Sequence, residues 1–398
     1  MINLAGRDLL HSWSRFVLTG AGLGLLIGVT LTMAGVYRGM VDDARALLAN
    51  SGADLWVVQQ QTQGPYAESS SLRDDAVHAI AGLPGVARAA NVTYLTMQVR
   101  GEAGADVRAM VVGFEPGQPG EPSYLVDGRR IARGHYEAVA DVKTGFRLGE
   151  RIRLRRHEYM VVGLTRRMVS SGGDPMVFVA LKDAQEAQFL KDNDAIVNER
   201  ARSAADPRLN RPGVPGLLEA VQAMKLDNRS VNAVLVQVQG GHDPARVAAP
   251  IGRWKHLQAY TRAEMEEILV AKLIATSARQ IAMFLVILAI VSAAIVAFII
   301  YTMTLGKMRE IAVLKLIGTS NRSIAGMIVQ QALGLGAVGF VVGKLSATAW
   351  APFFPKYVLL EPGDALRGLA AALLICALAS TLAIRVALKV DPAAAIGG

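Results

Sequence analysis

The chain has 398 residues, of which 52% are hydrophobic and 19% charged, and its formal net charge is +9. Its mean hydropathy of +0.32 is too apolar for a purely water-soluble protein and excludes intrinsic disorder. The single cysteine, Cys376, excludes an internal disulfide framework and a cysteine-based zinc site.

Four uncharged or nearly uncharged stretches are long enough to cross a bilayer as helices, which takes about 20 residues. The first begins after Arg7 and Arg15, as a cleaved signal peptide would, but it is too long for one and its pattern continues to Leu48. We therefore predict four membrane spans, at residues 16–37, 281–305, 324–343 and 369–388.

The basic residues predict the orientation of these spans. Residues 1–15 carry a net charge of +1 and residues 306–323 carry +3, whereas residues 38–280 hold 31 basic against 28 acidic residues. The two short segments and the tail, residues 389–398, are therefore predicted to be cytoplasmic, and the loop at 344–368 extracytoplasmic. Residues 38–280 form a large insert outside the membrane, and no basic, aromatic-interleaved patch indicates nucleic-acid binding.

The insert is predicted to be a mixed α/β domain, because alternating β-rich runs are separated by helical patterns. Two polar, proline-containing segments, 59–71 and 198–216, are predicted loops that are either disordered or bind a partner. The predicted strands are 53–58, 92–99, 108–114, 151–154, 159–164, 176–179 and 234–238, and the predicted helices are 73–81, 182–189 and 244–253.

Helical patterns continue from the membrane into the insert on both sides. Before the second span, apolar residues recur at three- and four-residue steps, and the first span extends as far as Leu48. The two stripes predict a helical stalk that carries motion between the bilayer and the insert, and the alternative is ordinary packing against the insert. The predicted stalk residues are Met265, Ile268, Leu269 and Leu273.

The sequence lacks the motifs of several enzyme and carrier classes. It has no phosphate-binding loop, no paired histidines of a metalloprotease and no serine in a nucleophile elbow. The predicted spans contain no Asp or Glu, which proton- and sodium-coupled carriers commonly use. We therefore expect a non-catalytic subunit without a bound cofactor or metal.

Glycine spacing predicts close packing of two of the spans. Gly20, Gly24 and Gly28 repeat every four residues and therefore share one face of the first helix, where another backbone can approach. The third span has a similar, less regular face of small residues, at Ala332, Gly336, Gly339 and Gly343.

The segment 306–323 predicts a short amphipathic helix between the second and third spans. Ile311, Leu314 and Ile317 are predicted to form its apolar face, and Gly318 is placed to end it. Ser320 or Asn321 is a suitable cap for the next helix. The helix is either a membrane-surface anchor or a docking element for a cytoplasmic partner; its candidate contact residues are Arg309, Glu310, Lys315 and Gly318.

Two short motifs carry a resemblance to a known family. Arg309, Glu310, Ile311 and Gly318 match an R-E-I-x-x-x-x-x-x-G pattern, and a D-P-x-x-A-I pattern follows at 391–396. With its spans and large insert, the chain resembles the permease subunits of MacB/FtsX-type (type VII) ABC transporters, including the LolC/LolE and DevC branches. Segments of the insert at 53–58, 83–86, 112–114 and 148–150 also resemble the family's outer domain.

The resemblance implies a fold, partners and a location. The outer domain would have a Porter-like part, residues 50–110 and 215–260, and a Sabre-like part, residues 111–214. The 309–318 helix would be a coupling helix seated on an ABC ATPase. Two copies of this ATPase would use ATP and magnesium. The ATPase would be a separate polypeptide, because only 15 residues precede the first span. A second permease copy or a related permease would complete the complex in the bacterial inner membrane, with the insert in the periplasm.

The resemblance leaves three functions open. The first is an exporter permease working by mechanotransmission, which releases a hydrophobic, lipid-like or small-molecule substrate, with or without a membrane-fusion adaptor protein and an outer-membrane channel. The second is an FtsX-like transducer that activates an extracytoplasmic partner without transport. The third is a sensor without an ATPase.

Overall fold

The computed structural model describes residues 13–189, 193–208, 216–226, 230–354 and 356–388. Within these ranges, the side chains are described at all but a few positions. The chain divides into two compact units, Met1–Val41 with Ala275–Gly398 and Asp42–Ile274. Most of the predicted N-terminal segment, the predicted tail at 389–398 and the motif at 391–396 lie outside the described residues.

The first unit is helical and the second is mixed α/β. The helices are α1 (Trp13–Asn50), α2 (Ala76–Ala81), α3 (Leu181–Phe189), α4 (Asn193–Ala205), α5 (Leu217–Leu226), α6 (Pro244–Ile251), α7 (Arg262–Glu267), α8 (Ala275–Gly306), α9 (Met308–Leu316), α10 (Asn321–Trp350) and α11 (Pro362–Leu388). The strands are β1 (Leu55–Gln59), β2 (Leu72–Arg73), β3 (Val86–Arg100), β4 (Asp106–Phe114), β5 (Asp127–Gly128), β6 (Glu137–Asp141), β7 (Arg151–Leu154), β8 (His157–Thr165), β9 (Met176–Ala180), β10 (Ser230–Val231), β11 (Ala233–Val238) and β12 (Leu257–Thr261).

Within the described residues, four helices are long and apolar enough to cross a membrane: α1, α8, α10 and α11. The predicted fold class, four membrane helices with a large α/β domain after the first, is confirmed. Each helix is longer than its predicted span, because the apolar window marks only the part suited to lipid. Helix α1 is continuous to Asn50, as its periodicity predicts.

An apolar core holds the described helices of this unit together. Buried residues of α8, α10 and α11 meet there, together with Leu23 from α1 and Ile311 from α9. Helix α8 buries only one stripe, in which residues follow every four positions, and leaves most of its apolar surface exposed. The stripe consists of Ser292, Val296, Ile300 and Thr304.

The α/β unit is built on a ten-stranded sheet with the order β12-β1-β11-β3-β4-β9-β6-β8-β5, with β7 pairing β3 and β8. Most neighbours are antiparallel, but β4 with β9 and β6 with β8 are parallel. Strand β3 is 15 residues long and pairs β11 through its first half and β4 through its second. It therefore connects two apolar clusters, one centred on Val57 and Val234 and the other on Val111 and Val161.

All seven predicted strands are present, but the sequence pattern missed five further strands among the described residues. Three of them have only two residues, β12 is half-buried at all five positions and β6 is buried at all five. Helix α2 begins at Ala76, three residues later than predicted. The predicted loop at 198–216 is wrong in its first part, because α4 continues to Ala205 and stops just before Pro207.

The other predicted loop, 59–71, is folded onto its own domain. The Tyr66 hydroxyl lies 3.3 Å from Trp56 Nε1 and 3.3 Å from the Tyr94 hydroxyl, in a buried position. The Ser171 hydroxyl donates to the Tyr66 carbonyl at 3.2 Å, and the Tyr260 hydroxyl donates to the Thr62 carbonyl at 2.6 Å. These contacts order the loop within the domain, so disorder does not explain its composition.

Candidate functional site

Helix α9 is held to the helical unit by one side only. Ile311 and Ala312 are 1% and 0% exposed, and Ile311 belongs to the apolar core. The opposite side exposes Arg309 and Glu310. It also exposes three apolar side chains: Val313 at 46%, Leu316 at 64% and Ile317 at 76%.

The predicted apolar face of this helix is wrong. Ile311 is buried and Ile317 is exposed, so the two residues do not share a face. The reason is geometric: each three-residue step falls about 60° short of a full turn, so two steps displace Ile317 by about 120°. The exposed apolar residues form a separate surface, which we call the α9 knob: Val313, Leu316 and Ile317.

Lys315 does not lie on the same side as the α9 knob. Its Nζ donates to the carbonyl oxygen of Leu388, the last residue of α11, at 2.9 Å. A cation there stabilises the unpaired carbonyl groups at the end of a helix. Lys315 is therefore placed to anchor α9 to α11, whereas Arg309 and Glu310 are accessible.

The end of α9 is fixed by Gly318. Its φ is +88°, its amide donates to Lys315 O, and the next amide, of Thr319, donates to Leu314 O, each at 3.0 Å. This is a Schellman motif, which requires the left-handed conformation that glycine adopts at least cost. Ser320 then caps α10 by accepting from the Ser323 amide at 3.3 Å.

The three predicted glycines of α1 lie against α10. A Cβ on Gly20 would lie 2.9 Å from Val338 Cγ1, one on Gly24 would lie 2.7 Å from Val342, and one on Gly28 would lie 3.0 Å from the carbonyl oxygen of Gly343. The two helices therefore approach backbone to backbone along this face, which we call the glycine seam.

The sequence reasoning missed the continuation of this seam beyond Gly28. Thr32 accepts a hydrogen bond from Trp350 Nε1 at 2.7 Å, and the Gly35 carbonyl accepts from the Leu359 amide at 3.0 Å. The Gly39 backbone meets that of Tyr357 so closely that no side chain fits between them. The sequence did contain a signal for this continuation, because small residues continue on the same face of α1 at positions 32, 35 and 39.

A cluster of side-chain ion pairs lies at the same end of the helical unit. The Arg38 guanidinium pairs with Glu361 and with Asp364, which lies in the first turn of α11. Carboxylates near a helix N-terminus are favoured by the helix dipole. Helix α1 is thus joined to α10, to the segment after it and to α11.

The predicted stalk residues are buried in the α/β unit. Met265, Ile268 and Leu269 are 0%, 5% and 0% exposed, whereas the side chain of Leu273 lies outside the described ones. Helix α7 begins with a capping box between Thr261 and Glu264. Residues Ile268–Ile274 then form a π-helix, where the three- and four-residue steps predicted an α-helix. The wider turn of a π-helix is often found at functional sites.

The last turns of α1 are attached to three separate parts of the α/β unit. Arg45 Nε lies 2.7 Å from Glu266 Oε1 on α7. Arg167, in the loop after β8, pairs with Asp42 and lies 3.8 Å from Asp43. We call these four contacts the α1 clamp: Arg45–Glu266, Arg167–Asp42, Arg167–Asp43 and, at 3.0 Å, the Ser123 hydroxyl with Asn50 Oδ1.

A buried carboxylate positions the loop that carries Arg167. Asp141, 1% exposed at the end of β6, accepts from the Met168 amide at 2.7 Å and from the Lys143 amide at 2.8 Å. Burial raises the pKa of the Asp141 carboxyl, and these two amide bonds act against that rise. Among the residues that the structure describes, no group of three or more His, Cys, Asp or Glu side chains could hold a metal ion.

Comparison with known families decides the identity of the chain. Residues 282–392 match the FtsX-like permease C-terminal family, and residues 16–253 match the MacB-like periplasmic core domain, which alone covers more than half of the chain. The chain belongs to the MacB/FtsX family of ABC transporter permeases. In this permease, α9 and α10 lie in the FtsX-like part, and the α1 clamp, apart from Glu266, lies in the MacB-like part.

Full-length relatives agree with this assignment. An uncharacterized ABC transporter permease of Mycobacterium tuberculosis (strain H37Rv) is 27% identical over 399 residues, and 100% of both chains is covered. One of Mycobacterium bovis is 25% identical over 400 residues, again with 100% of both covered.

Two solved outer domains also match this chain. The periplasmic region of MacB from Actinobacillus actinomycetemcomitans matches with 8% identity and a TM-score of 0.35, covering 54% of this chain and 93% of that one. The extracellular domain of the transporter YknZ from Gram-positive bacteria matches with 13% identity and a TM-score of 0.31, covering 52% and 99%.

Proposed function

We propose that this permease is the membrane subunit of an exporter that works by mechanotransmission and is driven by a separate ABC ATPase. The observation that carries the proposal is the α9 knob. Three exposed apolar side chains beside the exposed Glu310 lie on a helix between two membrane-length helices. Exposed apolar groups next to charge are typical of a protein-docking surface.

In this mechanism the chain itself has no catalytic residue. The ATPase would bind and hydrolyse ATP with magnesium, and its closure would push the α9 knob. Lys315 would pass this force to α11 through the Leu388 carbonyl, and the glycine seam would make α1 move with α10. Helix α1 is continuous to Asn50, so its outer turns would pull on the α1 clamp and change the outer domain.

A second permease completes the proposed complex in the cytoplasmic membrane. The substrate would be a hydrophobic, lipid-like or small molecule released on the outer side, and the Porter-like and Sabre-like parts would be the moving parts of the outer domain. The adaptor protein and outer-membrane channel of some family members remain part of the proposal as partners on the outer side.

The experiment is co-purification of the ATPase with α9 variants. Leu316→Glu combined with Ile317→Glu puts two charges into the contact, and we expect the recovered ATPase to fall at least about tenfold, or about 1.4 kcal/mol. The matched control is Val197→Glu, which places a charge at an exposed apolar residue of α4, 62% exposed. Undiminished ATPase recovery in the double variant would show that α9 is not the docking element.

Glu310→Arg separates coupling from docking. We expect this variant to keep some bound ATPase but to lose transport, because a reversed charge at the interface misplaces the helix. Loss of an outer partner's activity in the same variant, without accumulation of any substrate, would assign the permease to the transducer function instead. Glu102→Arg, at an exposed residue of the outer domain, is the control.

A further inference from the structure

A short exposed loop precedes β6 on the outer domain. All five residues from Ala132 to Tyr136 are exposed, and the Tyr136 side chain is 53% exposed. Tyr136 has a φ of +63°, a conformation that a bulky residue adopts only when its surroundings impose it. The aromatic ring is therefore held at the surface by the fold.

Two buried carboxylates hold this loop in place. Asp183, 3% exposed, accepts from the Tyr136 amide at 3.0 Å and contacts His135 Nδ1 at 2.5 Å. Glu137, 4% exposed, accepts from the Arg133 amide at 3.0 Å. With both ends of the loop fixed, little conformational entropy remains to be lost when another molecule binds.

The Tyr136 ring lies within a cluster of rings. Its centroid is 5.9 Å from that of His135, 5.6 Å from that of His157 and 5.9 Å from that of Tyr159. Tyr159 is only 2% exposed and supports the cluster from below, while Glu186 holds His157 through a 3.0 Å contact with Nε2. The exposed rings form a rigid aromatic surface.

The surroundings of this cluster are strongly basic. Residues 129–167 hold 11 Lys and Arg against four Asp and Glu, and two of these acids, Glu137 and Asp141, are buried. Arg155 and Arg156 are exposed in the turn just before His157, and in the described part of the chain neither has a carboxylate within ion-pair distance. The fold brings these basic and aromatic residues together from two separate segments, so the sequence pattern did not reveal the patch. We call this surface the Tyr136 patch: Arg133, His135, Tyr136, Arg155, Arg156 and His157.

We propose that the Tyr136 patch is the docking site of an acidic extracytoplasmic protein. Tyrosine and arginine dominate the binding energy of protein interfaces, and a fixed ring surrounded by arginines provides both. The positive charge selects a negatively charged partner and accelerates its encounter. The buried carboxylates fix the direction of the Tyr136 ring. A diffuse electrostatic attraction to anionic lipid does not need a ring in a fixed direction. The proposal is independent of the ATPase and of transport.

The test is photo-crosslinking of the full-length permease in its native membrane. A benzophenone side chain replaces Tyr136, and in a second variant it replaces Arg133, whose side chain is 83% exposed. The control position is Tyr124, an exposed tyrosine of the same domain at 40%. The charge-reversed variant combines Arg155→Glu with Arg156→Glu, both at exposed positions, and its melting temperature checks that the domain remains folded.

We expect labels at 136 and 133 to capture the same protein, through a segment rich in Asp and Glu, and the label at 124 not to capture it. Charge reversal should lower the yield about tenfold, and reversing the contacted acidic residues of the partner should restore it. Capture of lipid or of a second copy of this chain, equal yields at 124 and 136, or a yield insensitive to charge reversal would each overturn the proposal.

Discussion

Gly24 of α1 and Gly343 of α10 meet through their backbones. A Cβ on Gly343 would lie 2.6 Å from the carbonyl oxygen of Gly24 and 3.0 Å from the amide nitrogen of Gly28. Contacts this short cannot be relieved by rotating a side chain, since the obstacles are backbone atoms. The pair therefore fixes the distance between two membrane helices, and any larger residue must separate them.

The first prediction concerns Gly24→Ala and Gly343→Ala. Each should destabilise the helical unit by about 2 kcal/mol, because overpacking between fixed backbones outweighs the gain in helix propensity. Gly22→Ala is the matched control: nothing lies within 4 Å of a Cβ at Gly22, on the same helix. The measurement is thermal unfolding in detergent, where the control should be neutral or slightly stabilising. Equal melting temperatures for the Gly22 and Gly24 variants would show that the seam does not fix the helix distance.

The sequence predicted this face of α1 from the spacing of Gly20, Gly24 and Gly28, but it could not name the surface that covers it. Spacing defines a helix face, whereas the partner depends on tertiary packing. The contact with Tyr357 at Gly39 comes from a loop without periodicity, so no pattern could reveal it. The role of the seam in transmitting force is a proposal.

The structure of the outer domain could also be predicted only in part from the sequence. The apolar run of β4 and the alternation of β7 follow from the sequence, whereas the five residues of β6, Glu137–Asp141, show neither pattern. The π-helix at Ile268–Ile274 could not be predicted for another reason. Over seven positions, steps of three and four residues fit an α-helix as well as they fit a π-helix. The ion pairs Arg167–Asp42 and Arg45–Glu266 of the α1 clamp join residues 125 and 221 positions apart, which only the folded chain brings together.

The second prediction concerns the α1 clamp. Arg167→Gln should destabilise the outer domain by about 1 kcal/mol, because the Arg167 side chain is 38% exposed and contacts two carboxylates. Arg73→Gln is the control, since the Arg73–Asp75 pair is local and 74% and 57% exposed, and we expect a change below about 0.5 kcal/mol. Chemical unfolding followed by the fluorescence of Trp56 and Trp254 measures both.

The Arg45–Glu266 contact of the α1 clamp can be tested by exchanging the two charges. Arg45→Glu and Glu266→Arg should each lower stability slightly, and the double variant should recover about 0.5 kcal/mol of interaction free energy. A double variant no more stable than the sum of the single ones would mean that Arg45 and Glu266 do not interact in solution.

The third prediction concerns the second permease. Of the four long helices, α8 is the least buried, and Ile290 and Phe298 are 64% and 67% exposed. We expect this face to contact the partner permease. In a Cys376→Ala background, a single cysteine at 290 or 298 should give crosslinked dimers with a short bifunctional maleimide. Leu374 and Leu382 on α11, at 61% and 54%, are the control positions.

The outcomes of this crosslinking differ in size. A product of twice the chain mass indicates a homodimer, and a product with a different permease indicates a related partner. Crosslinking that is equal at the α8 and α11 positions would contradict the assignment of the interface to α8.

The last prediction concerns pH. Glu137 accepts from both terminal nitrogens of Arg129, at 3.0 and 2.5 Å, and from the Ala132 and Arg133 amides. The hydrogen bonds from Arg129, together with those two amides, lower the pKa of the Glu137 carboxyl from 4.5 to about 2, against the opposing effect of burial. A lowered carboxyl pKa means that the folded state holds the proton less tightly than the unfolded state.

The stability due to this ionised carboxyl is therefore complete above the ordinary pKa of 4.5 and is lost as the pH falls towards about 2. We expect Glu137→Gln to cost about 2 kcal/mol at neutral pH, a value reduced from the full shift because Arg129 is 52% exposed. The difference between the two proteins should shrink steadily below pH 4.5. In an Arg129→Gln background, the same substitution should have a smaller and flatter effect. A difference that stays constant as the pH falls towards 2 would show that the charge of Glu137 does not hold the loop.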